Sequence, residues 1–232
     1  MLTDNCPSGL LLVDKPKDWS SHDIINVARR FLGLRKIGHA GTLDPMATGL
    51  LILLVGRAAT KLQSGFLKLD KEYSGTVTLG VETDAWDAYG EVLSEVTPPV
   101  FTAGEIAAAL KKITGNFEHP VPFYSAKKVY GRPMHRLMRE GKVVEQKFCA
   151  VTVYEWRDVK TRGAEIDFTV SVSSGTYVRS LAFMLGQNLG TKAHLSALRR
   201  TKTGEYDVKN AVAVDFLRSA PQDELFKKIM PL

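Results

Sequence analysis

Apolar residues recur along this chain in three rhythms, and each rhythm predicts a different element. Unbroken apolar runs occupy Gly9 to Val13 and Leu50-Leu51-Ile52-Leu53-Leu54-Val55. Both are strand-length, and the second reads as a strand buried on both faces. Strict alternation marks two half-exposed strands. In one, Tyr73, Gly75, Val77 and Leu79 alternate with Ser74, Thr76 and Thr78; in the other, Ile166, Phe168, Val170 and Val172 alternate with Asp167, Thr169 and Ser171. A helical period appears in Ile24, Ile25, Val27, Ala28, Phe31 and Leu32. Ser20 with Asp23 opens that helix as a capping box with Asp in place of Glu, and Thr102 with Glu105 opens another that runs to about Ile113. Further helices are predicted at Ala58 to Phe66, Val178 to Leu189 and His194 to Arg200, and further strands near Val92, at Val151 to Trp156 and at Gly204 to Val208. Strands interspersed with helices predict an α+β fold, with a mixed, largely antiparallel central sheet and flanking helices. One domain over residues 1–232 is expected, carrying a basic insertion at about 121–147.

Charge sharpens that picture. The 232 residues carry a net charge of +6, and most of it is local. Lys127, Lys128, Arg132, Arg136, Arg139, Lys142 and Lys147 are opposed in their segment only by Glu140 and Glu145. A solvated face ordinarily mixes signs. Tyr124, Tyr130 and His135 are interleaved with these cations, a mixture suited to phosphate contact and base stacking. A second basic group, Arg29, Arg30, Arg35 and Lys36, lies ahead of residue 38. The two cysteines, Cys6 and Cys149, form no disulfide framework, and no export signal or membrane-length apolar run is present, so a cytoplasmic protein is expected. Glu82 to Gly90 is an acidic turn whose spacing does not match a calcium loop. Dinucleotide and phosphate-binding glycine motifs, His-Glu-x-x-His and Cys/His clusters are missing, so the sequence calls for no cofactor and no metal.

The segment Gly38-His39-Ala40-Gly41-Thr42-Leu43-Asp44-Pro45-Met46-Ala47-Thr48-Gly49 holds three glycines and a proline, which exclude a regular helix or strand. It is a loop leading into the buried strand, and Asp44 is its only carboxylate. Asp44 either forms a turn ahead of Pro45 or serves as a reactive group on a rigid scaffold. Arg179 sits near a helix start, where the dipole disfavours a cation, so it gains by meeting a carboxylate or phosphate. From the chemistry alone, a structural ion pair and a catalytic one remain equally open.

Taken together, several motifs resemble the TruB family of tRNA pseudouridine synthases. They are the Gly38–Leu51 loop, Asp14-Lys15-Pro16 followed by Trp19-Ser20-Ser21, and Lys71-Glu72-Tyr73 leading into Thr76 to Gly80. Thr83-Asp84 with Asp87 and Gly90, Tyr124 to Lys128, Gly175 to Leu181, and Ala193-His194-Leu195 with Leu198-Arg199-Arg200 complete the set, in family order. The resemblance implies roles residue by residue. Asp44 corresponds to the catalytic aspartate and Arg179 to the arginine paired with it. Tyr73 is the tyrosine stacking on the uracil. His39 corresponds to a histidine that binds or flips the nucleotide, and Tyr177 and Leu198 to residues lining the base pocket. Lys15 and Pro16 are structural, and Arg199 and Arg200 are read as phosphate contacts or helix caps. His22, His119 and His194 are left structural. Lys127, Lys128, Arg132 and Arg136 are the expected RNA contacts. The implied reaction isomerises a uridine in the tRNA T-loop, at position 55, to pseudouridine by flipping the base, with Asp44 attacking either C1′ or C6. The implied partner is the tRNA T-arm; no protein partner, no membrane and a monomeric state are expected. Many relatives carry a C-terminal PUA-type RNA-binding domain, and Asp215 to Leu232 is too short to form one. The competing readings are a non-catalytic RNA-binding or folding protein and a guide-dependent relative acting on ribosomal RNA.

Overall fold

The computed structural model describes residues 8–125, 127–129, 131–142 and 144–232. Cys6, Ala126 and Tyr130 lie outside the described residues, as do the side chains of Lys128, His135 and Arg139. In chain order the elements are β1 (Gly9–Lys15), α1 (Ser21–Leu32), β2 (Ile37–His39), β3 (Thr48–Val55), α2 (Gly56–Lys61), α3 (Gln63–Leu67) and β4 (Lys71–Leu79). Next come β5 (Val81–Thr83), β6 (Val92–Glu95), α4 (Ala103–Lys111), β7 (Gly115–Pro120), β8 (Lys128–Val129), β9 (Arg132–Pro133) and α5 (Met134–Arg139). The chain continues through β10 (Phe148–Arg162), β11 (Glu165–Val172), α6 (Val178–Asn188), β12 (Ala193–Thr203), β13 (Tyr206–Asp207), β14 (Val212–Ala213), α7 (Val214–Ser219) and α8 (Gln222–Lys227). Two compact units result: Met1–Tyr73 with Leu198–Leu232, and Ser74–Ala197. Among the described residues no helix is long and apolar enough to cross a membrane.

In the first unit β3 is the central strand. It pairs antiparallel with β1 from Gly9↔Val55 to Lys15↔Gly49, antiparallel with β2, and parallel with the end of β12 at Arg199↔Thr48 and Arg200↔Gly49. Alternate side chains of β1 and β3 feed two cores. Leu11, Val13, Leu51, Leu53 and Val55 pack with Ile24, Ala28 and Leu32 of α1 and with Leu217 and Leu225 of the C-terminal helices. Leu10, Leu12, Leu50, Ile52 and Leu54 pack with Ala40, Ala59, Phe66 and Tyr206. The doubly buried strand predicted from the apolar run is therefore present, because covered faces on both sides leave no position for polar alternation. Both capping boxes form, with the Ser20 and Thr102 hydroxyls accepting from the Asp23 and Glu105 amides.

The second unit is built on the strand order β4-β11-β10-β7, with β10 antiparallel to both β11 and β7. Its core includes Val77, Val153, Phe168, Val170, Val172, Leu181 and Leu185. The alternations predicted for β4 and β11 appear as alternating burial.

The predicted helix from His194 to Arg200 is instead part of strand β12. A short apolar run fits either period, and here strand pairing decides: Arg199 and Arg200 pair with β3, and Lys202 and Thr203 form a hairpin with β13. The predicted helix at Ala58 to Phe66 is split in two at Leu62.

Gly49 shows how tightly the pairing is built. Its φ is +99°, and a Cβ there would lie 2.3 Å from the Arg200 carbonyl oxygen and 2.8 Å from the Arg200 nitrogen. Gly49→Ala is expected to destabilise the fold by about 3 kcal/mol, from backbone strain and steric clash together. Urea unfolding with an unchanged midpoint would contradict this account of the β3–β12 contact.

Candidate active site

Asp44 is half-buried in the loop between β2 and β3. Its carbonyl accepts from the Ala47 amide at 3.0 Å, closing the turn that follows. Side chains from three elements hold this loop. From α1, the buried Ser21 hydroxyl brackets Leu43, accepting from its amide at 2.9 Å and donating to its carbonyl at 3.1 Å. From β1, the fully buried Lys15 ammonium donates to the carbonyls of Trp19 (2.7 Å), Pro16 (2.9 Å) and Pro45 (3.3 Å). From β12, the Arg200 guanidinium donates from Nε to Leu50 O at 2.7 Å and from Nη2 to Gly41 O at 3.1 Å. The residues on both sides of Asp44 are thus fixed to the sheet.

These cations also set the local field. Burial pushes the Lys15 pKa down to about 8, against the Asp44 and Asp18 carboxylates, which pull it up. The ammonium is therefore charged at neutral pH and faces the field of Asp44.

His39, at the end of β2, has a buried Nδ1 without a hydrogen-bond partner among the described residues. Burial holds its imidazole below the usual range, reinforced by the positive charges of Arg200 and His22. Tyr73 is 8% exposed on β4. Its neighbour Glu72 is tied to β12, accepting from Thr201 Oγ1 at 2.7 Å and pairing with Lys202 at 3.6 Å. The Leu198 carbonyl accepts from Thr48 Oγ1 at 3.5 Å. The first unit thus carries His39, Asp44, Tyr73 and Leu198.

Tyr177 and Arg179 belong to the second unit, at the start of α6. Arg179 is 4% exposed. It donates to Ala85 O at 3.0 Å and to Tyr124 O at 3.1 Å, and pairs with Asp87 Oδ2 at 3.3 Å. The acidic turn read from the sequence as a plain turn thereby supplies a buried carboxylate to the arginine. Asp87 is itself oriented, since its Oδ1 accepts from the Tyr89 amide at 2.9 Å.

Of the expected RNA contacts, Lys127, Arg132 and Arg136 are exposed. Glu140 pairs with Arg132 and, at 3.1 Å, with Lys142, and Glu145 pairs with Lys147 at 2.6 Å. Exposed pairs of this kind contribute at most about 1 kcal/mol, so a phosphate competes for these cations at little cost.

Three residues escaped the sequence reading. Asp87 was one acid among several in a turn. Arg200 was read as a phosphate contact or helix cap, yet it is 1% exposed and anchors the loop, while Arg199 makes a bidentate pair with Asp14 at 2.7 and 3.0 Å. Lys15 was assigned a structural part but not its three carbonyl partners. A lysine ending the strand that the apolar run Gly9 to Val13 begins was the one available signal, because a buried ammonium must find acceptors.

Comparison with known proteins agrees with this architecture. Residues 29–178 match the model of the TruB family pseudouridylate synthase N-terminal domain, and residues 179–232 match the tRNA pseudouridylate synthase B C-terminal domain. The chain is 45% identical to tRNA pseudouridine synthase B of Opitutus terrae, over 97% of this chain and 92% of that one. It is 46% identical to the protein of the same name from Leifsonia xyli, over 88% and 70%. Among solved structures, a chain of a Cbf5-Nop10-Gar1 complex superimposes with a TM-score of 0.72 at 26% identity, covering 96% of this chain and 60% of that one. A chain of an H/ACA RNP bound to a substrate RNA containing 2′-deoxyuridine gives 0.70 at 25%, covering 96% and 58%. This chain thus spans about three-fifths of the length of those structural relatives. It belongs to the TruB family of pseudouridylate synthases.

The folded pKa of Lys15 lies below its ordinary value of 10.5, so between about pH 8 and 10.5 the unfolded chain binds the extra proton and stability rises with pH. Lys71 is lowered in the same way. Lys15→Met is expected to lose about 3 kcal/mol at pH 7, by orphaning three carbonyls, and to flatten the rise without abolishing it. Denaturant midpoints across that range, compared between the two proteins, check both effects; parallel pH curves would remove Lys15 from the account.

Proposed function

We propose that this protein converts a uridine in the T-loop of tRNA, at position 55, to pseudouridine, with Asp44 as the covalent nucleophile. The observation that carries the reading is the Asp44 loop, clamped by Ser21, Lys15 and Arg200 with its carboxylate in the field of a buried ammonium. The names of the curated relatives, tRNA pseudouridine synthase B, support the substrate class.

In this reading the base leaves the RNA stack, at a cost of a few kcal/mol that backbone contacts and stacking offset. Tyr73 supplies the stacking face. This reading assigns His39, whose buried Nδ1 has no hydrogen-bond partner among the described residues, to the flipped nucleotide, and assigns Tyr177 and Leu198 to recognition of the base. Arg179, paired with Asp87, is the arginine that the family resemblance assigns to the nucleophile. The N1–C1′ bond breaks, the uracil turns, a C5–C1′ bond forms, and the bond to the Asp44 carboxylate is cleaved again, which returns the free enzyme. The proton on C5 departs to solvent and N1 ends protonated, so atoms and charge balance without a redox partner. Attack at C1′ and attack at C6 are both compatible with a carboxylate so held. Lys127, Lys128, Arg132 and Arg136 grip the RNA backbone. The enzyme acts as a cytoplasmic monomer without a cofactor. The chains superimposed from Cbf5 and H/ACA complexes favour a second reading, in which partners are required.

Tritium release from tRNA labelled at uracil C5 tests the proposal. Wild type alone is expected to release label, and Asp44→Asn to be slower by about a thousandfold or more. No release without added proteins favours the partner-dependent reading, and equal release by the variant removes Asp44 from its role.

Replacing Lys127, Arg132 and Arg136 together with Gln is expected to reduce the slope of log affinity against log salt by about 2. Binding titrations at several salt concentrations measure it. An unchanged slope would show that these side chains do not meet phosphate.

A further inference from the structure

His119 lies in β7 with no exposed surface, and its ring nitrogens meet two different main-chain groups. Nδ1 is 3.0 Å from the Pro120 carbonyl oxygen, and Nε2 is 3.1 Å from the Tyr177 amide nitrogen. A carbonyl only accepts and an amide N–H only donates. The ring proton therefore sits on Nδ1, and the Nε2 lone pair receives the Tyr177 N–H.

That amide is the N-cap of α6, one of the donors that a helix cannot satisfy internally, and Tyr177 makes no side-chain cap. The turn that follows closes on the Tyr177 carbonyl through the amides of Ser180 (3.0 Å) and Leu181 (3.3 Å). Ser180 Oγ donates to the same Pro120 carbonyl at 2.6 Å. The Tyr177 ring meets the His119 imidazole edge-on, with centroids 5.7 Å apart. Two consecutive residues of β7 thus hold the start of the helix that presents Arg179.

We propose that His119 is a positioning residue: its neutral imidazole holds the Tyr177 main chain and with it the Tyr177–Arg179 turn, and protonation of His119 releases that turn and slows the reaction. The proposal rests on the reading that places Tyr177 and Arg179 in the uridine site. Protonation converts Nε2 from acceptor to donor, so that two hydrogens oppose each other where one hydrogen bond stood.

Burial holds the imidazole below its usual range, with the Pro120 carbonyl pulling the other way. Among the described residues, the Tyr177 ring at the start of α6 meets the imidazole edge-on, and Cys149 on β10 is its register partner. Among the described residues no charged side chain contributes to the shift. With a folded pKa below the unfolded one, the ordered helix start is retained at neutral pH and lost as pH falls through the folded value.

The test compares wild type, His119→Gln and His119→Leu in tritium release between about pH 5 and 8, with ¹⁵N shifts of the His119 ring followed in wild type. The Gln carbonyl reaches where Nε2 sits and does not titrate. His119→Gln is expected to keep kcat at neutral pH within a few-fold and to lose the acid limb of the wild-type profile. Folded His119→Leu is expected to lose about tenfold in kcat with little change in KM. An acid limb retained by His119→Gln, or wild-type kcat in folded His119→Leu, overturns the proposal; if the Leu variant does not fold, the Gln profile decides. The ring shifts are read independently of turnover. An Nε2-protonated neutral ring overturns the proposal, whereas an Nδ1–H ring in a protein inactive on tRNA strikes only the functional reading.

Discussion

Buried cations bound to main-chain carbonyls hold the irregular segments of this protein. Lys15 joins Pro16, Trp19 and Pro45; Arg200 joins Gly41 and Leu50; Lys71 joins Leu67 and Leu69; Arg179 joins Ala85 and Tyr124. A cation removed from water is costly unless its donors are met. A carbonyl in an irregular loop is equally costly unless it finds a donor. Each contact solves both problems. It lets the chain carry a loop with three glycines around Asp44, the proposed nucleophile, while keeping that loop in one conformation.

The scaffold behind these contacts is apolar and rigid. Strand β3 is buried on both faces, so its register with β1 and β12 is specified by two packed cores at once. Gly49 permits the Arg200 backbone to approach at the point where the loop becomes strand. The same residue that packs there as backbone reaches the loop through its side chain. In the second unit the strand end at His119 and Pro120 plays the corresponding part for the start of α6, meeting the Tyr177 amide and the Ser180 hydroxyl. Both regions place residues proposed for function at element ends, where unpaired backbone polar groups are available for tethering.

Legibility in the sequence followed from how local each signal is. Doubly buried β3, the alternating strands β4 and β11, and the helices opened by Ser20 and Thr102 could be read because period and capping are properties of neighbouring residues. The segment from His194 to Arg200 was misread because its apolar positions suit two periods, and only its partners β3 and β13 select the strand. Asp44 stood out as the single carboxylate of an irregular loop. Asp87 did not, since nothing near it in sequence reveals that Arg179, far along the chain, closes on it in a dry interior.

The chain by itself determined the α+β class, the irregular Asp44 loop, the family motifs and the basic segment, since all of these are written in residue types at short spacing. Tertiary structure alone decided which cations tether which backbone. Lys15, Arg200 and His119 find partners that are carbonyls or amides, groups that every residue carries, so no residue type announces them. It also decided that Arg132, Lys142 and Lys147 of the basic segment pair locally with Glu140 and Glu145. Side-chain identity can be read along the chain, but a main-chain partner acquires meaning only once folding has left it without a hydrogen bond.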